Sequence, residues 1–219
     1  MKTVFVTGGT GYMGVRLIRL LLQRGHRVKA FVRPGSEHKV PPGAEVATGD
    51  PFEPGDLIRE MPRDGVIVQL LGVPHPSPKK RDLFCQVDLP SVRATAEAAS
   101  RAGAAHFVYV SVAQEPTNIM KDYQAVRAEG ERCILEKGLP HTFLRPWYVV
   151  GPGHWWPLLL WPVYAVLGWL PATRHKAQAL ALVSIGQMLD ALLAAVEQPE
   201  KMKEIIDVPA IRNPALRRR

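Results

Sequence analysis

The sequence contains very little cysteine. Its 219 residues include only Cys85 and Cys133, and these two are far apart in the chain. A disulfide framework and a zinc site built from paired cysteines are therefore not expected, and no metal is predicted. Free, reduced thiols suit the cytosol. The chain also runs from Met1 directly into an apolar strand at Thr3, which leaves no room for a leader peptide, so the sequence predicts a cytoplasmic location.

The sequence also lacks an apolar segment suited to crossing a bilayer. The run Trp155–Pro171 carries no charge, but it has only 17 residues and is interrupted by Pro157 and Pro162. A membrane span needs about 20 apolar residues without such breaks. A true span is therefore the least favoured of three interpretations. The run could be a buried element that lines a pocket or a dimer interface. It could instead lie in a membrane interface, peripheral to the bilayer, where tryptophans and the following basic residues 174–176 are favoured.

Three glycines follow a short apolar strand at the start of the chain. Gly8, Gly11 and Gly14 lie between the strand Thr3–Val6 and an apolar-periodic segment that is predicted to be a helix. Strand, glycine turn and helix in this order are the context of a dinucleotide-binding fingerprint. Gly8 would form the turn, Gly11 would let the backbone approach a pyrophosphate, and Gly14 would let the helix pack closely on the sheet. The alternative is a glycine-rich turn without a ligand.

No carboxylate ends the second predicted strand, His26–Arg33. Sites that prefer NAD place an acidic residue there, about 20 residues beyond the fingerprint, to bind the ribose 2′-hydroxyl. Arg33 stands in this place. A guanidinium is always charged and can bind the 2′-phosphate of NADP with two hydrogen bonds. The sequence therefore predicts NADP(H) as the cofactor in preference to NAD(H). The alternative is a solvated arginine at a strand end.

Strand and helix patterns alternate over the first two thirds of the chain. Further elements are predicted in turn at residues 44–47 (strand), 56–61 (helix), 65–72 (strand), 83–102 (helix), 106–112 (strand), 121–137 (helix) and 141–145 (strand). This rhythm predicts an α/β fold with a doubly wound parallel sheet of the Rossmann type, whose ligand lies beyond the carboxyl ends of the strands. We place the cofactor-binding part at 1–152. A small, mainly helical C-terminal portion of the same domain, 153–219, would cover an apolar pocket.

The fingerprint Thr7-Gly8-x-x-Gly11-x-x-Gly14, with Tyr12-Met13 in its loop, resembles the short-chain dehydrogenase/reductase superfamily, in particular its extended and atypical, NmrA-like branches. The resemblance implies an NAD(P)-binding Rossmann protein. It also implies a set of cofactor contacts: Gly8, Thr10, Gly11, Tyr12, Met13, Gly14, Arg33, Asp50, Leu71, Gly72, Pro146 and Trp147. In the superfamily, residues matching Asp50 lie beside the adenine and those matching Pro146–Trp147 lie beside the nicotinamide carboxamide. For Asp50, an Asx turn before Pro51 is an equal alternative.

Members of this superfamily use a serine at the end of the fifth strand, and a tyrosine and a lysine four residues apart on the next helix. Ser111, Tyr123 and Arg127 match these positions, with arginine in place of lysine. Residues four apart share a helix face, so both can point at one nicotinamide. The resemblance implies Tyr123 as the proton donor, Ser111 as a hydrogen-bond partner of the substrate oxygen and Arg127 as electrostatic support. The alternative is that Tyr123 is only a wall of the cofactor pocket.

The net charge of +8 is consistent with nucleic acid or an anionic membrane as a partner. The basic residues are scattered, however, and no nucleic-acid-binding motif is present. A bound anionic cofactor explains the charge more simply, and nucleic-acid binding is not expected.

The sequence thus predicts an NADP(H)-dependent oxidoreductase that reduces a carbonyl of a small, largely apolar substrate or epimerises such a substrate. One alternative is a protein that binds NADP(H) without catalysis, either a sensor or an assembly subunit, and the arginine at position 127 favours it. Another is a membrane-associated accessory subunit, which Trp155–Pro171 favours. A homodimer is compatible with the same run. His154 could face the substrate, although a lone histidine more often has a structural role.

Overall fold

The computed structural model describes residues 1–73, 76–117, 120–160 and 178–213. The strands are β1 Thr3–Thr7, β2 Arg27–Val32, β3 Glu45–Thr48, β4 Val66–Gln69, β5 His106–Val110, β6 His141–Leu144, β7 Tyr148–Val150, β8 Leu182–Ser184 and β9 Ile205–Ile206. The α-helices are α1 Tyr12–Gln23, α2 Pro54–Glu60, α3 Arg81–Leu83, α4 Leu89–Ala102, α5 Lys121–Glu136, α6 Ile185–Glu197 and α7 Val208–Ile211. A π-helical turn, Phe84–Asp88, joins α3 to α4.

The main sheet has the strand order β3-β2-β1-β4-β5-β6-β9, and every neighbouring pair is parallel. The register places Val4 of β1 between Val28 of β2 and Val66 of β4. The chain moves outward from β1 to β3 and then crosses back to β4 on the other side. This reversal opens a crevice at the carboxyl ends of β1 and β4. The predicted doubly wound Rossmann sheet is therefore confirmed.

The two faces of the sheet are covered by different helices because successive residues of a strand point to opposite faces. Val4 and Val6 face a core that contains α1 and α6. Phe5, between them, faces a second core formed with α2, α4 and α5. Both clusters are rich in side chains that are withdrawn completely from solvent, and burial of this kind is the main source of the fold's stability.

The C-terminal part of the chain joins the same sheet. Strand β9 pairs with β6 through Phe143–Ile205 and Leu144–Ile206. Helix α6 is capped by Ser184, whose hydroxyl accepts a hydrogen bond from the Gln187 amide at 3.1 Å. The Ser184 amide donates in turn to the Gln187 side-chain carbonyl at 2.8 Å. The sequence pattern did not predict β9, since two isoleucines give too little periodicity for a strand to be recognised.

The described part of the apolar run, 155–160, contains a 3₁₀ turn, Trp156–Leu160. Trp155 is 55% exposed and Leu159 is 81% exposed. Residues 161–171 of the run lie outside the described part of the structure. Within the described ranges, none of the helices combines the length and the apolar character that a bilayer crossing requires.

His106 is expected to make the fold less stable in mild acid. It is 6% exposed, its Nε2 lies 2.9 Å from the Thr142 hydroxyl, and burial, with smaller contributions from His141 and Lys2, lowers its pKa to about 4. The unfolded chain binds this proton near pH 6.5, whereas the folded chain binds it only near pH 4. The free energy of unfolding should therefore fall as the pH drops from about 6.5 to about 4, by about 3 kcal/mol.

Urea unfolding at several pH values measures this effect. His106→Gln, which retains a donor for Thr142, should flatten the profile in that window, while His38→Gln in an exposed 3₁₀ turn should leave it unchanged. An equally steep profile in His106→Gln would show that another group carries the acid sensitivity.

Candidate active site

A cavity of about 400 Å³ lies at the carboxyl ends of β1, β4, β5 and β6. Its position is the crevice that the reversal of strand order creates. Most of its wall is apolar, and the polar side chains are few. The lining residues are Gly8, Gly11, Tyr12, Met13, Gly14, Leu70, Gly72, Val73, Pro76, Val110, Ser111, Val112, Met120, Tyr123, Arg127, Pro146, Trp147, Tyr148, Val149, Gly153 and His154.

The glycine loop forms one end of this cavity. Gly8 has a φ of +69°, and a Cβ there would lie 2.6 Å from the backbone nitrogen of Leu71, so both the conformation and the close approach require glycine. The Gly11 amide donates to the Gly8 carbonyl at 3.0 Å and closes the turn. Helix α1 starts at Tyr12 without a side-chain cap and without an acidic residue in its first turn. Its N-terminal amides are therefore suited to an anionic ligand.

Ser111 follows the last residue of β5, where its amide donates to the Leu144 carbonyl at 2.8 Å. The side chain is buried, and its hydroxyl has no hydrogen-bond partner within the described ranges. A buried hydroxyl without a partner is unfavourable, because it has lost water and gained nothing in exchange. Since Ser111 lines the cavity, a ligand oxygen or nitrogen there would satisfy it.

Tyr123 lies in the first turn of α5 and is half-buried at the cavity wall. Its ring packs against Phe84, with ring centres 4.9 Å apart. Gln124, the next residue, fixes the start of the helix by donating to the carbonyls of Ala113 and Glu115, both at 2.7 Å. Burial raises the pKa of the Tyr123 phenol, and Arg127 opposes that effect. The phenol is therefore protonated at neutral pH.

Arg127 lies on the same helix face as Tyr123, as the spacing predicted, with its guanidinium carbon 5.1 Å from the centre of the Tyr123 ring. It is buried and ion-paired with Asp88, with Nη2 2.6 Å from Oδ1. Nη1 donates to the Val110 carbonyl at 3.0 Å. Nε is buried without a partner among the described residues. The guanidinium is thus held largely by the protein itself.

The structure brings most of the predicted cofactor residues together, but not all. Thr10, Arg33, Asp50 and Leu71 do not line the cavity. The backbone of Leu71 lies close to Gly8. Arg33 is exposed at the carboxyl end of β2. The Asp50 carboxylate accepts the Phe52 amide at 2.9 Å, so the alternative of an Asx turn is present in the structure.

Several residues outside the sequence motif form hydrogen bonds or ion pairs that hold the site in place. Asp88 pairs with Arg127, and Gln124 holds the loop after β5. Gln69 contacts the Thr7 hydroxyl and donates to Ser91 at 3.2 Å. For Gln69 the available signal was a lone polar residue in an otherwise apolar strand, because a buried polar side chain normally has a defined partner.

The arrangement fits a dinucleotide that carries a reactive ring. The glycine loop and the start of α1 suit its phosphates, and the cavity continues from there to Ser111, Tyr123 and Trp147. The hydroxyl of Ser111 and Nε of Arg127 are both buried and both lack a protein partner in the described ranges. Two unsatisfied donors in one cavity indicate a site built around a ligand.

Comparison with known proteins agrees with this geometry. Residues 8–151 match the model of a family described as NAD(P)H-binding. Two curated relatives are reductases by name. The ceramide reductase of Caulobacter vibrioides (strain NA1000 / CB15N) is 31% identical over 202 residues, which cover 90% of this chain and 61% of the relative. The chloroplastic divinyl chlorophyllide a 8-vinyl-reductase of Oryza sativa subsp. indica is 33% identical over 160 residues, which cover 66% of this chain and 39% of the relative.

The chain therefore spans less than two thirds of the length of either relative. Among solved structures, a UDP-galactose 4-epimerase superposes with a TM-score of 0.71 and 20% identity, over 94% of this chain and 77% of the epimerase. At that identity the likeness supports the Rossmann fold alone.

Ser111→Ala should stabilise the ligand-free protein. The substitution removes a buried hydroxyl that has no partner, so we expect the free energy of unfolding to rise by about 1 kcal/mol. Urea denaturation without added ligand measures it, with Ser36→Ala in the loop after β2 as a control that should change little, since Ser36 makes no side-chain cap. Destabilisation by Ser111→Ala would mean that the hydroxyl has a partner in solution.

Proposed function

This chain belongs to the NAD(P)H-binding family, and we propose that it is an NADP(H)-dependent reductase acting on a carbonyl of a small, largely apolar substrate. The observation that carries the proposal is the convergence of Ser111 and Tyr123 on one cavity that begins at the glycine loop. The apolar wall favours an apolar substrate. The names of the two curated relatives support reduction as the reaction class.

Tyr123, Ser111 and Arg127 have separate roles in the proposed reduction. When bound, the reduced nicotinamide supplies a hydride to the carbonyl carbon. Tyr123 donates its phenolic proton to the carbonyl oxygen, which becomes the alcohol, and the phenol then regains a proton from water. The Ser111 hydroxyl hydrogen-bonds the same oxygen and stabilises the charge that develops on it. Arg127, behind the ring, limits the cost of the transient phenolate.

Turnover of NADPH with Tyr123→Phe tests this proposal. Absorbance of the reduced nicotinamide would be followed against aldehydes, ketones and quinones, with activated alkenes included because one relative is named for reduction of a vinyl group. Loss of a general acid typically costs 10²- to 10⁴-fold. We expect kcat to fall by about that factor while the Kd for NADPH stays within about twofold, since the phenol does not bind the phosphates.

Unchanged turnover in Tyr123→Phe would remove Tyr123 from the chemistry. Tight NADPH binding without turnover of any substrate would favour the second candidate, a protein that binds the cofactor without catalysis. The burial of Arg127 against Asp88 is the observation that favours this candidate, because a guanidinium held in this way is less free to contact a cofactor ribose than the lysine of the superfamily.

The preference for NADP rests on Arg33. Its side chain is exposed at the carboxyl end of β2, beside the strand that leads into the glycine loop. Glu37, the acidic residue of the following 3₁₀ turn, accepts the Gly35 amide at 3.1 Å. An exposed guanidinium, which has no side-chain partner among the described residues, suits a 2′-phosphate.

Arg33→Ala should reduce the preference for NADPH over NADH roughly tenfold, because a charge-assisted contact is lost. Fluorescence titration with both cofactors measures it. Arg19→Ala, an exposed arginine on the outer side of α1, is the matched control and should leave the ratio unchanged. An unaltered ratio in Arg33→Ala would place the discrimination elsewhere.

We further propose that the mouth of the cavity faces an anionic lipid surface. Gly153 and His154 line the cavity, and the exposed Trp155, Leu158 and Leu159 follow them directly. Tryptophan and leucine beside a chain of net charge +8 are suited to a bilayer interface that carries negative headgroups. An apolar substrate could then enter the cavity without crossing water.

Sedimentation with vesicles of phosphatidylcholine and phosphatidylglycerol tests the lipid contact. Trp155→Gln and Leu159→Gln should each lower the bound fraction, since each loses apolar area. Leu135→Gln is the control, because Leu135 is 53% exposed on α5, away from the cavity mouth. Equal loss in all three variants, or binding that ignores phosphatidylglycerol, would contradict the proposal.

A further inference from the structure

A buried ion pair lies directly behind the proposed proton donor. Asp88, the last residue of the π-helical turn, is 1% exposed, and Arg127 is 5% exposed. Their charged groups approach to 2.6 Å. The other carboxylate oxygen of Asp88 accepts the Val73 amide at 3.0 Å. The carboxylate therefore joins helix α5 to the loop after β4, which forms part of the cavity wall.

The guanidinium is held in one orientation by several partners. Besides Asp88, it donates from Nη1 to the Val110 carbonyl at 3.0 Å and approaches the Tyr109 hydroxyl at 3.4 Å. Its central carbon lies 5.6 Å from the ring centre of Tyr109 and 5.1 Å from that of Tyr123. The cation thus stands between two phenols, one buried in the core and one at the cavity.

The electrostatic consequence depends on both members of the pair. An isolated cation at this distance would favour ionisation of Tyr123, and an isolated carboxylate would oppose it. Burial raises the pKa of the Tyr123 phenol, Arg127 lowers it and Asp88 raises it. Tyr109, on the other side of the guanidinium, has a pKa raised to about 12, chiefly by burial. The exposed Lys121 and Asp122 directly precede Tyr123, and Asp122 pairs with Arg81 of α3.

We propose that Asp88 is a positioning residue for the reaction: it fixes the Arg127 guanidinium against the Tyr123 ring and offsets part of its charge, so that Tyr123 rests as a neutral proton donor. Reduction then proceeds from the resting state of the site at neutral pH, whereas oxidation of an alcohol requires the phenolate and therefore a higher pH. This inference rests on the proposed function for its consequence in turnover, but the charge relationship itself is a property of the ligand-free chain.

The geometry also explains why an arginine accompanies Asp88. One planar fork reaches the carboxylate with one nitrogen and the Val110 carbonyl with another, whereas an ammonium is a single point charge. Removing one partner of such a pair leaves a buried charge without compensation, which is more harmful than removing both. The two residues therefore act as a unit.

The titration of Tyr123 in the ligand-free protein tests the proposal. Tyrosines would be replaced biosynthetically by 3-fluorotyrosine, which lowers the phenol pKa into the range where the protein is folded. The ¹⁹F signal of Tyr123 would be assigned by its loss in Tyr123→Phe. We expect the titration midpoint to move to lower pH in Asp88→Asn and to higher pH in Arg127→Gln, because the two variants leave opposite charges beside the ring.

Two further variants keep the test decisive. Asp122→Asn makes the same chemical change one residue from Tyr123, at an exposed site that pairs with Arg81, and should not move the midpoint. The double variant Asp88→Asn/Arg127→Gln should return the midpoint close to that of the parent, and it keeps a folded sample available if Asp88→Asn alone unfolds. Shifts of the same sign in both single variants, or shifts no larger than in Asp122→Asn, would overturn the proposal.

The pH profile of turnover separates this inference from the proposed function. With an active substrate pair, Asp88→Asn should move the profile of alcohol oxidation to lower pH, in the same direction as the phenol titration. If the titration shifts as expected but no substrate is turned over, the charge relationship holds and the enzymatic function fails. If turnover is present and the titration does not shift, the function holds and the role of Asp88 fails.

Discussion

The close approach of the Gly8 backbone to Leu71 sets the geometry of the cavity. A Cβ at Gly8 would lie 2.6 Å from the Leu71 nitrogen, so the turn after β1 and the loop after β4 can touch only because this side chain is absent. The same contact lies at the reversal of strand order. The cavity begins at these two loops and continues to Ser111 and Tyr123.

A series of buried polar contacts extends from Thr7, beside Gly8, to Arg127, which lies against the ring of the proposed proton donor Tyr123. Thr7, just before Gly8, contacts Gln69, and Gln69 donates to Ser91. The Ser91 hydroxyl donates to the Asp88 carbonyl at 2.9 Å, and the Asp88 side chain holds Arg127. Each of these groups would be unfavourable in an apolar interior without its neighbour. The network thus connects the glycine loop to Arg127 at the other end of the cavity through Thr7, Gln69, Ser91 and Asp88, none of which lines the cavity.

The fold could be predicted from the sequence because its signals are local. The glycine spacing, the apolar strands and the helix at 121–137 depend on neighbouring residues, and the structure confirms the Rossmann sheet that they predicted. Strand β9 was missed because its two residues become a strand only through pairing with β6. Asp88 was missed for a related reason. Its proposed role depends on Arg127, 39 residues away, and a periodic pattern of apolar residues does not indicate such a distant partner.

The role of Arg127 also depends on residues that are distant in sequence. Spacing alone placed it on the face of Tyr123, and the guanidinium does lie against that ring. Whether it acts on the cofactor or is retained by the protein depends on Asp88 and Val110, which belong to other elements. Likewise, Asp50 was an equal choice between adenine contact and Asx turn, and only the fold shows the turn. Cofactor preference and substrate stay predictions.

The pairing of Asp88 with Arg127 also constrains how this protein could have diverged. A chain with a lysine at position 127 and a neutral residue at 88 differs from this one at two buried sites. Either single step passes through a protein with a charge that lacks its full set of partners in the interior. Once both changes are present, return by one substitution is equally unfavourable. Replacing either residue alone therefore costs stability whether or not the protein turns over a substrate, so the two positions are expected to change together.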